Sequence, residues 1–186
     1  MILKKLFTEK KQGMGLAPGT LLQSANKSPA TIEILDYNEA SCHKASLTDT
    51  SEAKPFFDNN ETQSWVNFVG VHDTEKLKDL GEVFDIHSLV LEDIVNTHQR
   101  PKFEDWDSYI YVVITMLKPG SKEIDKEQVS FILGKNYLIS FQEKPGDVFD
   151  AVRARIENSK ARIRKSSADY LLYVLLDSII DNYFLV

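Results

Sequence analysis

Four carboxylates in this sequence are spaced so that they could hold a cation. Glu92 and Asp93 are adjacent within LEDIV, and Asp177 and Asp181 stand four residues apart near the C-terminal end. On a helix that second spacing places both acids on one face, where like charges repel by roughly 0.2–0.5 kcal/mol unless something neutralises them. A hard divalent cation would do so, and ligation by oxygen alone selects Mg²⁺, Ca²⁺ or Mn²⁺ over softer metals. The same four acids can equally be read as solvated surface charges, Glu92 and Asp93 also complementing a helix N-terminus.

Other side chains offer less. His72, His87 and His98 lack the HxxxH or HExxH spacing of a zinc enzyme. Cys42 and His43 would point to opposite faces of a strand, which argues against chelation by that pair. In the run His98-Gln99-Arg100-Pro101-Lys102, His98 could ligate a metal and Arg100 could grip a carboxylate. The structural reading is that Pro101 fixes a turn and Arg100 pairs with a nearby acid. The basic cluster Arg153, Arg155, Arg162, Arg164 and Lys165 could touch acidic lipid or another subunit but reads first as a solvated helix face, and Tyr170, Tyr173 and Tyr183 read as helix packing. The sequence has no GxSxG elbow, and Gly13 to Gly19 lacks the GK[ST] ending of a phosphate loop.

The elements that must position these acids follow from periodicity. Ile86, Leu89, Val90, Ile94 and Val95 recur at helical spacing, predicting a short helix that buries one face and presents Glu92 and Asp93 near the other. Pro101 disfavours helix at Arg100, so this helix should end by about Thr97. Residues 1–30, with Gly13, Gly15, Pro18, Gly19 and Pro29 among polar residues, read as a flexible leader. TIEILDY and Cys42 to Leu47 form a hairpin candidate. Asp49 to Gln63 reads as a short helix or loop, Trp65 to Val71 as a buried strand, and Asp73 or Thr74 as the cap of a helix through Phe84. Tyr109 to Leu117 should be a central strand ended by Pro119-Gly120, with Gln128 to Leu133 and Tyr137 to Gln142 following across Gly134-Lys135-Asn136. A helix then runs from Asp147 to about Asn158. Ser166 or Ser167 caps a last one, with Ala168, Leu171, Leu172, Leu175, Leu176, Ile179, Ile180 and Tyr183 as its apolar stripe.

The expected fold is α/β, a mixed central sheet flanked by helices as an α/β/α sandwich over residues 31–160. Residues 161–186 begin a long stalk helix. That last helix reaches Phe184-Leu185-Val186 without a cap, which suggests a fragment of a longer chain. With 186 residues, 42% of them hydrophobic and 27% charged, the chain has the composition of a soluble globular protein. Its net charge of −6 argues against a nucleic-acid surface. The single cysteine excludes intrachain disulfides and thiolate-rich zinc sites. No apolar run reaches the ~20 residues that span a bilayer, the closest being Tyr170 to Leu176.

The run LEDIVNTHQRPKFE resembles, almost residue for residue, a signature of the CorA family of divalent-cation channels. EQVSFILGKNYLISFQEKPGDVFDAVRARI and RKSSADYLLYVLLDSIIDNYF are similar to the continuation of that family's cytoplasmic domain. The resemblance covers roughly Trp65 to the C-terminus. It implies a domain on the cytoplasmic face of the cell (inner) membrane, with two spanning helices and a Gly-Met-Asn pore signature following, so that membrane contact comes only through those helices. It implies a homopentamer, with no nucleic-acid partner and no enzymatic activity. It also implies that the acid at Asp93 binds a regulatory Mg²⁺ between subunits, with Glu92 and Asp177 in the same cluster. Ca²⁺ or Co²⁺ could substitute. Bridging would hold the closed state, and bare carboxylates would repel and loosen it. The alternatives are the cytoplasmic domain of a ZntB-like zinc transporter and a soluble hydrolase with Glu92, Asp93 and Asp177 as metal ligands.

Overall fold

Alternation in TIEILDY folds as its pattern predicts: Thr31–Tyr37 (β1) pairs antiparallel with Cys42–Leu47 (β2). The Asn38 side chain closes the turn by accepting from the backbone N–H groups of Ala40 and Ser41, at 2.9 Å each. The computed structural model describes residues 17–21, 28–118, 124–158 and 161–185. Of the stretch read as a leader, 1–16 and 22–27 therefore lie outside the described residues, as does Pro119-Gly120.

A 3₁₀ turn, Thr50–Ala53, capped by Asp49, and a short helix, Lys54–Asp58 (α1), fill the polar stretch after β2. Gln63–Val69 (β3) ends at Gly70, whose φ of 110° no side-chain-bearing residue adopts readily. That turn delivers Asp73 to cap Thr74–Val83 (α2), accepting from the Lys76 N–H at 3.2 Å. Next come Ser88–Val95 (α3), Lys102–Trp106 (β4), Tyr109–Lys118 (β5), Asp125–Leu133 (β6) and Tyr137–Gln142 (β7). Asp150–Glu157 (α4), a 3₁₀ turn at Arg162–Lys165 and Ala168–Asn182 (α5) complete the described chain.

Among the described residues the strands lie in the order β2-β1-β3-β7-β6-β5-β4, and only β3 and β7 are parallel. The sheet is mixed, as expected. β5, read as a central strand over Tyr109 to Leu117, lies one place from the edge. Outside it runs β4, whose sequence KFEDW lacks a clean apolar alternation and carried no strand signal.

Side chains on the two faces of the sheet build separate cores. Ile34, Phe68, Tyr111 and Ile139 meet Leu77, Leu80, Val90 and Ile94 of α2 and α3 on one face. Trp65, Val129, Phe131 and Leu138 meet Val152 and Ile156 of α4 and Leu171, Leu175 and Ile179 of α5 on the other. This is the expected α/β/α sandwich. The stripe on α5 is shifted from the one read in sequence: Val174 is buried, whereas Ile180 and Tyr183 are exposed.

Arg164 departs from the reading of its cluster as a solvated face. It is only 4% exposed and donates to the carbonyls of Asn38 at 2.6 Å and Ile156 at 3.0 Å, with a longer contact to Glu39 at 3.5 Å. It joins the β1–β2 turn to the end of α4. Arg164→Met should lower unfolding stability by about 3 kcal/mol, because buried carbonyls lose their donors. Chemical denaturation of the variant beside the parent measures this, and a loss below experimental error would remove Arg164 from the fold's essential contacts.

Candidate metal centre

Local geometry fixes the start of α3. Asp85 takes a φ of 52°, a left-handed backbone uncommon outside glycine, and turns the chain after α2. His87 then caps the helix, its Nδ1 accepting from the Leu89 N–H at 3.2 Å while its ring stacks on Trp106 at 5.0 Å. The backbone N–H of His87 donates to the Tyr109 hydroxyl at 3.0 Å. Val90, Leu91 and Ile94 are buried, but Leu89, expected inside, is 41% exposed. Leu91 takes the inward position and rests on Gly81 of α2, where an added Cβ would come within 2.6 Å of it.

This orientation leaves Glu92 exposed and Asp93 half-buried at the edge of the core. Asp93 is held by two donors from the following loop and strand: Gln99 Nε2 to Oδ1 at 2.6 Å and Lys102 Nζ to Oδ2 at 2.5 Å. Lys102 also reaches Glu104 Oε1 at 2.8 Å and lies 5.0 Å from the centre of the Tyr111 ring. Glu104 in turn accepts from Trp106 Nε1 at 3.3 Å. Burial works against the Lys102 ammonium, but its hydrogen bonds and charge contacts with Asp93 and Glu104 prevail and raise its pKa. The Lys102 hydrogen bond holds Glu104 below the ordinary glutamate range. Glu92 accepts from the Gly19 N–H at 2.7 Å, so residues 17–21 lie against α3.

Arg100, expected to pair with an acid, makes no ion pair among the described residues, and Lys102 fills that role. Strand bounds favour the lysine: Lys102, Glu104 and Trp106 share the face of β4 turned toward α3, whereas Arg100 precedes the strand and is exposed. Gln99 also had no assigned role. Its backbone N–H donates to Gln128 Oε1 at 2.9 Å and its side chain to Asp93, so it ties the loop to β6 and to α3 at once.

Asp177 and Asp181 are exposed on α5. That helix packs on the sheet face opposite α3. The two acid pairs of one chain are thus separated by the sheet, and no group of three potential metal ligands forms among the described residues. The hydrolase constellation of Glu92, Asp93 and Asp177 does not assemble within a chain.

A second carboxylate pair underlies the loop after α3. Glu127 is buried and pairs with Lys118 Nζ at 2.6 Å, while accepting from the backbone N–H groups of Glu143 at 2.9 Å and Lys144 at 3.1 Å. Burial first, and then the Glu127 charge, push the Glu143 carboxyl above its ordinary pKa, against the pull of Thr97, His98 and Lys144. A raised folded-state pKa means the charged form subtracts stability above that value and nothing below the unfolded one. Glu143→Gln should therefore raise the melting temperature at neutral pH, and the gain should vanish as pH falls below the ordinary glutamate range. Thermal melts across that range test the sign.

A family model described as CorA-like Mg²⁺ transporter protein matches residues 60–186. The cobalt/magnesium transport protein CorA of Thermotoga maritima is 44% identical over 175 residues, covering 92% of this chain and 50% of that protein. A putative metal ion transporter of Bacillus subtilis, YfjQ, is 32% identical over 122 residues, covering 64% of this chain and 36% of its own length. The chain thus spans half the length or less of these curated relatives. Among solved structures, the soluble domain of CorA from Methanocaldococcus jannaschii shares the fold at a TM-score of 0.58 and 13% identity, covering 81% of this chain and 56% of that one. The full-length CmaX protein does so at 0.67 and 12%, covering 87% and 49%. The ZntB cytoplasmic domain from Vibrio parahaemolyticus does so at 0.58 and 12%, covering 82% and 61%. No helix among the described residues is long and apolar enough to cross a membrane.

Proposed function

The chain belongs to the CorA-like Mg²⁺ transporter family, and from that premise we propose that it is the cytoplasmic Mg²⁺-sensing domain of a divalent-cation channel. The whole protein would be a homopentamer anchored by membrane helices outside this chain and carrying Mg²⁺ or Co²⁺. The domain regulates transport and catalyses no reaction.

The observation that carries this reading is placement. Glu92 and Asp93 stand on one helical layer, and Asp177 and Asp181 stand exposed on the opposite layer. A site using both pairs must therefore draw them from different chains, and two opposed acidic faces suit a ring of subunits. Glu92, Asp93, Asp177 and Asp181 offer only carboxylate oxygen, which fits a hard cation shared between neighbours. The ion supplies positive charge where facing carboxylates would otherwise repel. Asp93 and its neighbours then hold adjacent subunits in the closed arrangement, and without it the same acids push the subunits apart. The shift is limited to the difference in affinity between the two states.

Ca²⁺ or Co²⁺ would substitute at carboxylate oxygens. A ZntB-like zinc transporter shares the architecture, but the relative at 44% identity is a cobalt/magnesium transporter by name.

Asp93→Asn in the full-length protein keeps the acceptor shape and removes the charge. It should weaken the protection that Mg²⁺ gives against limited proteolysis by about tenfold in the concentration required. Protection at unchanged Mg²⁺ would take Asp93 out of the sensor.

A further inference from the structure

We propose that Lys102 is a resident counter-cation on Asp93, and that Glu104 is the carboxylate that receives its ammonium when a divalent cation binds. The inference rests on the reading of Asp93 as a cation ligand and adds the step that sets its affinity.

The geometry points to exchange rather than simple addition. Both oxygens of Asp93 are engaged, Oδ1 by the Gln99 amide at 2.6 Å and Oδ2 by the Lys102 ammonium at 2.5 Å. A divalent ion approaching Oδ2 meets a positive charge already seated there. Lys102 is not committed to Asp93 alone, because the same nitrogen is 2.8 Å from Glu104 Oε1. The ammonium keeps a carboxylate partner if it leaves Asp93, so departure does not strand a half-buried charge. Its side chain is 24% exposed, which gives the released nitrogen access to water, and its 5.0 Å contact with the Tyr111 ring keeps it near. Glu104 is further steadied by Trp106 Nε1 at 3.3 Å. With its charge balanced internally, Asp93 binds only when the free cation is concentrated enough to displace a tethered competitor. This sets a threshold for response in a way that bare surface acids do not.

The test is equilibrium binding of Mg²⁺ to the full-length protein by titration calorimetry, in the parent, Lys102→Met, Glu104→Gln and the double variant. Methionine preserves an apolar stem over Tyr111. Lys102→Met should bind about fivefold tighter, the worth of a favourable partly exposed ion pair. Glu104→Gln should bind more weakly, since Lys102 then has only Asp93 to hold. In the double variant the Glu104 effect should disappear, a coupling that independent long-range charges would not produce. Unchanged affinity in Lys102→Met, or a Glu104→Gln effect that persists without Lys102, overturns the exchange. Asp93→Asn separates the two levels: if it abolishes binding while Lys102→Met is neutral, only the role of Lys102 fails. If Asp93→Asn leaves binding intact, the sensor assignment of Asp93 fails first.

Discussion

Everything in this fold depends on the parallel pairing of β3 with β7. It is the only parallel contact among the described residues and joins strands far apart in sequence. Backbone bonding alone leaves register to be chosen, and here buried polar side chains choose it. Trp65 Nε1 donates to Ser140 Oγ at 2.9 Å, and Ser140 Oγ donates to Asn67 Oδ1 at 2.7 Å. Slipping by one residue would leave these groups without partners in the interior and turn every flanking side chain to the wrong face. Ser64 Oγ does the same for the neighbouring pair, donating to Asp36 Oδ1 at 2.7 Å.

Once that register is fixed, the connection between β3 and β7 has to leave the sheet and return. α2 and α3 cover one face on the way out, and β4, β5 and β6 come back as an antiparallel meander on the far side of β7. The loop carrying Gln99 and Pro101 joins the two parts. Asp93 at the end of α3 thereby sits beside Lys102 at the start of β4, and their contact is where the outgoing layer is fastened to the returning sheet. The carboxylate proposed as a sensor is also a structural acceptor, which explains why its surroundings are so fully hydrogen-bonded.

Much of this was legible in the residues. Alternation located β1 and β2, dense apolar runs located β3, β5 and β7, and helical spacing located α2, α3 and α5. What remained hidden depends on tertiary partners. β4 carries Lys, Glu and Asp in five residues and is a strand only because β5 has an open edge to pair with. Leu91 replaces Leu89 in the core because Gly81 leaves a depression for it, which periodicity within α3 cannot reveal. The resemblance named the acids, but their division between opposite faces required the sheet. Lys102 and Arg100 are equally basic in sequence, and what separates them is that Lys102 lies within β4 while Arg100 precedes it. Arg164 could not be told in sequence from the other basic residues of its cluster, because its carbonyl partners include Asn38, 126 positions away.

The β3–β7 contact also bears on how the polypeptide is made. Trp65 and Ser140 are 75 residues apart, so during synthesis β1, β2 and β3 are complete long before the strand that closes them exists. In that interval one side of β3 presents unpaired amides and carbonyls next to an uncovered indole, the kind of edge that recruits strands from other molecules. The intervening helices and meander must be translated first, and joining strands so distant in sequence is slow because chain entropy is spent before the contact is gained. A nascent chain of this architecture has a period of vulnerability built into its topology, and it ends only when β7 slots in beside β3.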